Sequence, residues 1–143
     1  MADACSAVAA IGQELDALVP SGVRTGALRV DPAHVERLLP DELAAIARAV
    51  PSRRSEFATG RALLRRLVGT DASLPVAPDR APVLPRGWVA SLAHAGPVVI
   101  AAASDAPGIA ALGVDLEPQG AFSDAEVAVV RRPDDPELDG RAT

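Results

Sequence analysis

Apolar positions recur with two different periods along this chain, and the change of period divides it. Up to about residue 69 the recurrence is mostly three or four residues, the helical repeat. From Trp88 onward it is two residues or a continuous run, the habit of strands. Residues 1–20 predict a loose helix with Ile11, Leu15, Leu18 and Val19 on its apolar side, ended by Pro20. Ser21-Gly22 turns the chain into a short strand, Val23 to Val30, and Asp31-Pro32 opens a helical turn through Leu39. Pro40-Asp41-Glu42 puts acids in the first turn of a helix running through Leu43–Val50, with Pro51 as its stop. Ser52 is the expected cap of the next helix, whose apolar positions Phe57, Leu64, Leu67 and Val68 continue to Gly69. A proline-rich stretch, 70–87, reads as an extended loop.

Strands follow at Trp88–Leu92 and Val98–Ala103, with a turn at His94-Ala95-Gly96-Pro97. The second is apolar on both faces, as an interior strand is. Asp105-Ala106-Pro107-Gly108 turns into a further strand, Ile109–Glu117. Phe122–Val130 reads as a helix, and 131–143 as a charged, disordered tail. Helices first and a small, mainly antiparallel sheet after them predict an α+β domain.

Composition narrows the function. At 143 residues the chain has room for one core. A net charge of −5 argues against general binding to nucleic acid or to an anionic membrane. All fourteen of its strong bases are arginine, so no lysine chemistry is open to it. A single cysteine, Cys5, excludes an internal disulfide and a cysteine-based zinc site. With no basic leader and no apolar run of spanning length, a soluble, cytoplasmic chain is expected.

Three groups of residues carry candidate chemistry. In Gly113-Val114-Asp115-Leu116-Glu117 the strand period sends Asp115 and Glu117 to one side and Val114 and Leu116 to the other. Mg²⁺ takes one or two protein carboxylates and completes its shell with water and substrate phosphates, so this pair suits it. Arg53, Arg54, Arg61, Arg65 and Arg66 crowd one helix, with Arg54, Arg61 and Arg65 on a single stripe. Guanidinium groups bind phosphate oxygens in pairs, which makes the stripe a candidate polyanion site. Arg80 in the proline-rich loop can add a phosphate or base contact. His94, at a strand end beside a glycine turn, is placed to donate to a phosphate or to cap its own turn. His34, in a polar helical turn, reads as a surface residue.

These residues also carry a resemblance. Ser52-Arg-Arg-Ser-Glu-Phe-Ala-Thr-Gly-Arg61 resembles the arginine-rich helix of the 4′-phosphopantetheinyl transferases of Sfp/EntD type. Asp79–Trp88 is similar to their "G-x-P-x-W-P-x-G" stretch, Ser91-Leu-Ala-His94 to "S-I-T-H", and Leu112-Gly-Val-Asp-Leu-Glu-Pro118 to "I-G-I-D-I-E-P". The four motifs stand in the family's order and cover about Leu38 to Pro118.

The resemblance implies a Mg²⁺-dependent enzyme that moves the phosphopantetheine arm of coenzyme A to a serine of an acyl or peptidyl carrier protein. It implies Asp115 and Glu117 as metal ligands and catalytic residues. Arg53, Arg54, Arg61 and His94 would hold phosphates of coenzyme A, with Arg80 near its adenosine end. Ala93 stands where the family usually has a hydroxyl residue. Family members continue into a second lobe with a "K-E-x-x-x-K" helix, to which nothing in Phe122–Thr143 is similar. The expected organisation is therefore a helical extension over 1–21, the family's N-terminal lobe over 22–112, the start of a truncated second lobe over 113–130, and the tail. A chain so organised is expected to be weakly active or inactive alone, and its EntD-like motifs tilt towards siderophore or other secondary metabolism. The alternative is a non-catalytic module that binds coenzyme A or a carrier protein and pairs with itself through an exposed sheet edge. Gly113-Val-Asp-Leu116 also resembles the phosphate loop of actin-like sugar kinases. There, however, the motif lies near the N-terminus and glycines follow it.

Overall fold

The computed structural model describes residues 3–118 and 125. Its elements are α1 (Asp3–Leu18), β1 (Arg24–Arg29), a 3-10 helix (Pro32–Arg37), α2 (Pro40–Ala45), α3 (Pro51–Val68), β2 (Val89–Ala95) and β3 (Val98–Ser104). The expected α+β class is the observed one. Helices pack on a three-stranded antiparallel sheet of order β1-β3-β2.

Helix α3 is delimited by its punctuation. Pro51 stands at the first helical position, where a fixed φ suits the helix and the missing N–H has no partner to lose. Gly69 closes the other end at φ 78, donating its N–H to the Arg65 carbonyl. The expected cap, Ser52, thus lies inside the helix, and Val50 occupies the cap position. Pro51 begins α3 rather than stopping α2, which ends at Ala45 and leaves residues 46–49 in turns. Arg54 closes that gap, its Nε donating to the Ala49 carbonyl at 2.8 Å and its second nitrogen to Ala47.

Strand β3 is the interior strand its two apolar faces predicted. Val99 to Ser104 are all buried, between β1 and β2. One sheet face packs on α3, where Leu63, Leu64, Leu67 and Val68 meet Val99, Ala101, Ala103 and Leu74. Each fully buried leucine contributes about 2 kcal/mol by removal from water. Gly26, opposite Ala101, allows α3 to come this close, because a Cβ there would stand 2.7 Å from Leu63 Cδ1. The other face, at β1, receives α1: Gly12 approaches Ala27, and Thr25 donates to Asp16 Oδ1 at 3.2 Å.

Glu42, in the first turn of α2, is fully buried. Its Oε1 accepts from the Leu39 N–H at 2.9 Å and its Oε2 from the Leu74 N–H at 3.0 Å. Both oxygens accept from one Arg65 nitrogen, at 2.7 and 2.6 Å. Arg65 therefore serves as Glu42's counter-charge, not as part of an open basic stripe. His34 is half-buried rather than at the surface, and its Nδ1 has no partner among the described residues.

The expected strand over Ile109–Glu117 is not formed, since residues 109–118 have no regular secondary structure. The period of two survives in exposure: Leu112, Val114 and Leu116 are half-buried, while Asp115 and Glu117 are exposed. A strand is defined by a backbone ladder. Here the tie to the sheet runs from the Val114 N–H to a side chain, Ser91 Oγ, at 3.1 Å. The helix expected over Phe122–Val130 and the tail after it lie outside the described residues, apart from Ala125.

Two substitutions test this account by urea unfolding. Glu42→Gln is expected to cost about 3–5 kcal/mol, because it leaves Arg65 buried beside a neutral group. Gly26→Ala is expected to cost about 1–3 kcal/mol by overpacking Leu63.

Candidate functional site

Between α3, the turn after α2, the proline-rich loop and β2 lies a cavity of about 670 Å³. Arg53, Phe57 and Arg61 line it from α3, and Arg80 and His94 from the loop and β2. Four of the five residues assigned to coenzyme A thus share one enclosure. The fifth, Arg54, is not among the lining residues, and its donors are directed at Ala47 and Ala49.

Each side chain is positioned by a local cause. Arg53 and Phe57 are four apart on α3, and so are Phe57 and Arg61, which places the three on one stripe. Arg61 is buried, and its Nε donates to the Leu74 carbonyl at 2.7 Å. Its guanidinium carbon lies over the Phe57 ring, 4.3 Å from the centroid, a cation–π geometry. Burial lowers the Arg61 pKa from the ordinary guanidinium value; Glu42 opposes this shift, and Arg65 and Arg53 add to it. A cation so disfavoured by its surroundings is stabilised by any anion that enters the cavity.

Arg80 sits at the tip of a small hairpin. Val76 bridges Pro82, Ala77 accepts from the Arg80 N–H, and Pro78 holds the second position of that turn. The next step requires a left-handed residue, commonly glycine or asparagine, yet Arg80 takes it at φ 72. A strained arginine at the mouth of a basic cavity fits a ligand contact.

His94 is not in the turn where it was expected. It lies within β2 opposite Val99, because Gly96, at φ 53, and Pro97 make the turn by themselves. Its Nε2 stands 3.3 Å from Glu56 Oε2, and Arg53 approaches the same oxygen at 3.5 Å. Glu56 is the one acid in the basic segment Arg53–Arg66, and it is not among the site residues expected from the sequence. Its place four residues before Gly60 and three after Arg53 does predict the shared stripe.

Asp115 and Glu117 do not line the cavity. Their segment is tethered at Ser91, three residues before His94 on β2. Alternation along that strand sends the Ser91 and His94 side chains to opposite sheet faces. Two exposed carboxylates meet the donor chemistry of Mg²⁺ with its water and phosphate ligands. Among the described residues no three His, Cys, Asp or Glu side chains cluster as a metal centre. No described helix is long and apolar enough to cross a membrane.

Residues 41–104, the span of α2, α3, the hairpin loop and the β2–β3 pair, match the family model of the 4′-phosphopantetheinyl transferase N-terminal domain. The chain carries the N-terminal domain of this transferase family. Among characterised relatives it is similar to the 4′-phosphopantetheinyl transferase Svp of Streptomyces mobaraensis, with 40% identity over 107 residues, 72% of the present chain. The match spans 44% of the length of Svp, so the chain corresponds to less than half of that relative.

The backbone of Arg80 yields a prediction. Arg80→Asn is expected to raise stability by about 0.5–1 kcal/mol in thermal unfolding, since asparagine tolerates the left-handed conformation.

Proposed function

We propose that this chain provides the coenzyme A-binding lobe of a Mg²⁺-dependent enzyme that transfers phosphopantetheine to a serine of an acyl or peptidyl carrier protein. The observation that supports it best is the convergence of Arg53, Arg61, Arg80 and His94 on one cavity from three separate segments. In this reading Arg53 and His94 bind phosphate oxygens at the rim. Arg61 supplies a preset buried charge with no reorganisation at the moment of reaction. Arg80 lies towards the adenosine end. Arg54 acts through the Ala47–Ala49 turn that forms one wall, in addition to any phosphate contact. Residues 22–112 form this lobe, and those from 113 on lead into a second.

Asp115 and Glu117 would hold Mg²⁺, which when bound neutralises pyrophosphate charge during phosphoryl transfer. The chain's own residues bind and align the diphosphate, so that the serine oxygen meets phosphorus in line with the departing bisphosphate. The family likeness favours a cytoplasmic enzyme of siderophore or other secondary metabolism.

A second reading, a module that retains coenzyme A or a carrier protein without catalysis, is favoured by the position of Asp115 and Glu117 outside the cavity lining. Calorimetry with coenzyme A, paired with a transfer assay on an apo carrier protein, separates the two. Binding is expected for the 143-residue chain, and Arg53→Ala or His94→Ala should each weaken it about tenfold through loss of a charge-assisted hydrogen bond. Mg²⁺-stimulated transfer that disappears in Asp115→Ala supports the enzyme. Binding that strengthens with Mg²⁺ and loses that gain in Asp115→Ala supports the enzyme lobe too, even where the chain alone transfers feebly. Binding indifferent to both supports the module, and absence of binding refutes both readings.

A further inference from the structure

Glu56 is out of place in a phosphate-binding cavity, where a carboxylate repels the ligand. It lines the same enclosure as Arg53, Arg61, Arg80 and His94 and is half-buried there, so its charge is only partly screened by solvent. Two basic side chains from different elements lie within ion-pair distance of one of its oxygens: Arg53 at 3.5 Å, from one turn before it on α3, and the His94 ring at 3.3 Å, from β2. A single acceptor oxygen approached by a guanidinium and an imidazole has the local arrangement of a phosphate oxygen in an arginine-histidine site.

We infer that Glu56 is a resident counter-anion. It holds Arg53 and His94 converged while the cavity lacks a phosphate, and a ligand phosphate takes over both donors on binding. The inference deepens the proposed function and rests on its placing of phosphate in this cavity. The charges that face the site are Arg53, Glu56 and Arg61 from α3, Arg80 from the loop and His94 from β2. Glu56 is the one acid among them, so neutralising it raises the positive potential felt by an incoming anion. An intact carboxylate therefore keeps affinity below what the basic residues alone would give, and it lets product leave as well as substrate enter.

The test is the isosteric substitution Glu56→Gln, with Glu36→Gln on the 3-10 helix as the matched loss of charge away from the cavity. Inorganic pyrophosphate and, separately, coenzyme A are titrated by calorimetry into the full chain at low and at moderate salt. For pyrophosphate, Glu56→Gln is expected to bind roughly fivefold to tenfold tighter than the parent at low salt, with the gap narrowing as salt rises. Glu36→Gln is expected to match the parent. An equal gain in Glu36→Gln would trace the effect to net charge and overturn the inference. So would unchanged, weaker or absent pyrophosphate binding by Glu56→Gln, which would make Glu56 a fixed strut for its two neighbours. A gain for pyrophosphate without any coenzyme A binding would sink the proposed function and leave the counter-anion standing. Failure of Glu56→Gln to gain while the parent binds coenzyme A would do the reverse. A thermal midpoint unchanged by the substitution identifies the gain as electrostatic rather than a repacking of α3.

Discussion

The buried carboxylate of Glu42 is the constraint on which the other parts depend. A charge removed from water is tolerable only when its oxygens are fully occupied, and this one draws its donors from three places in the chain. The Leu39 N–H belongs to the start of α2, Arg65 to α3, and the Leu74 N–H to the proline-rich loop. The Leu74 peptide is held from its other side as well, its carbonyl accepting from Arg61. One acid and two arginines thereby clasp a loop that has few regular hydrogen bonds of its own. Arg61 is presented to the cavity by the same clasp, so fold and candidate site share a fastening.

The cavity follows from this arrangement. Helix α3 offers one stripe to the sheet, with Leu63, Leu64 and Leu67, and a neighbouring stripe to the enclosure, with Arg53, Glu56, Phe57 and Arg61. Strand β2 repeats the division along one face: Ala90 and Leu92 pack with the core cluster and floor the cavity, and His94, further along the same face, lies beyond the cluster at the cavity. Basic groups gather on the far side of the apolar contact because the same two elements make both. Position thus costs little extra structure, which is how a rigid scaffold serves a binding site.

Much of this was legible in the sequence where local physics decides. The far end of α3 followed from Gly69 and the central place of β3 from its unbroken apolar run. The start of α3 was misplaced, because Pro51 reads equally as a stop for α2 and as a first helical residue. What escaped depended on distant partners. Glu42 looks like an ordinary first-turn acid, and only packing against Arg65 and Leu74, more than twenty positions on, shows it to be interior. Arg54 and Arg65 share a face with Arg61 by spacing, yet nearby carbonyls and a carboxylate claim them. The alternation in Leu112–Glu117 was read correctly as exposure and wrongly as a ladder, because a sequence period shows which side is wet and not whether an edge is paired.

The register of the sheet sets an order of events in synthesis. Arg24 of β1 pairs with Ala103 of β3, about eighty positions later, and β2 has its other edge. A nascent chain emerging from the ribosome therefore exposes β1 and the apolar stripe of α3 until the central strand has been made. Closing so long a loop is slow relative to forming the helices. Vectorial folding of this lobe is a late, concerted collapse onto its last strand, and a stalled ribosome anywhere before residue 98 would leave greasy surface for chaperones to shield.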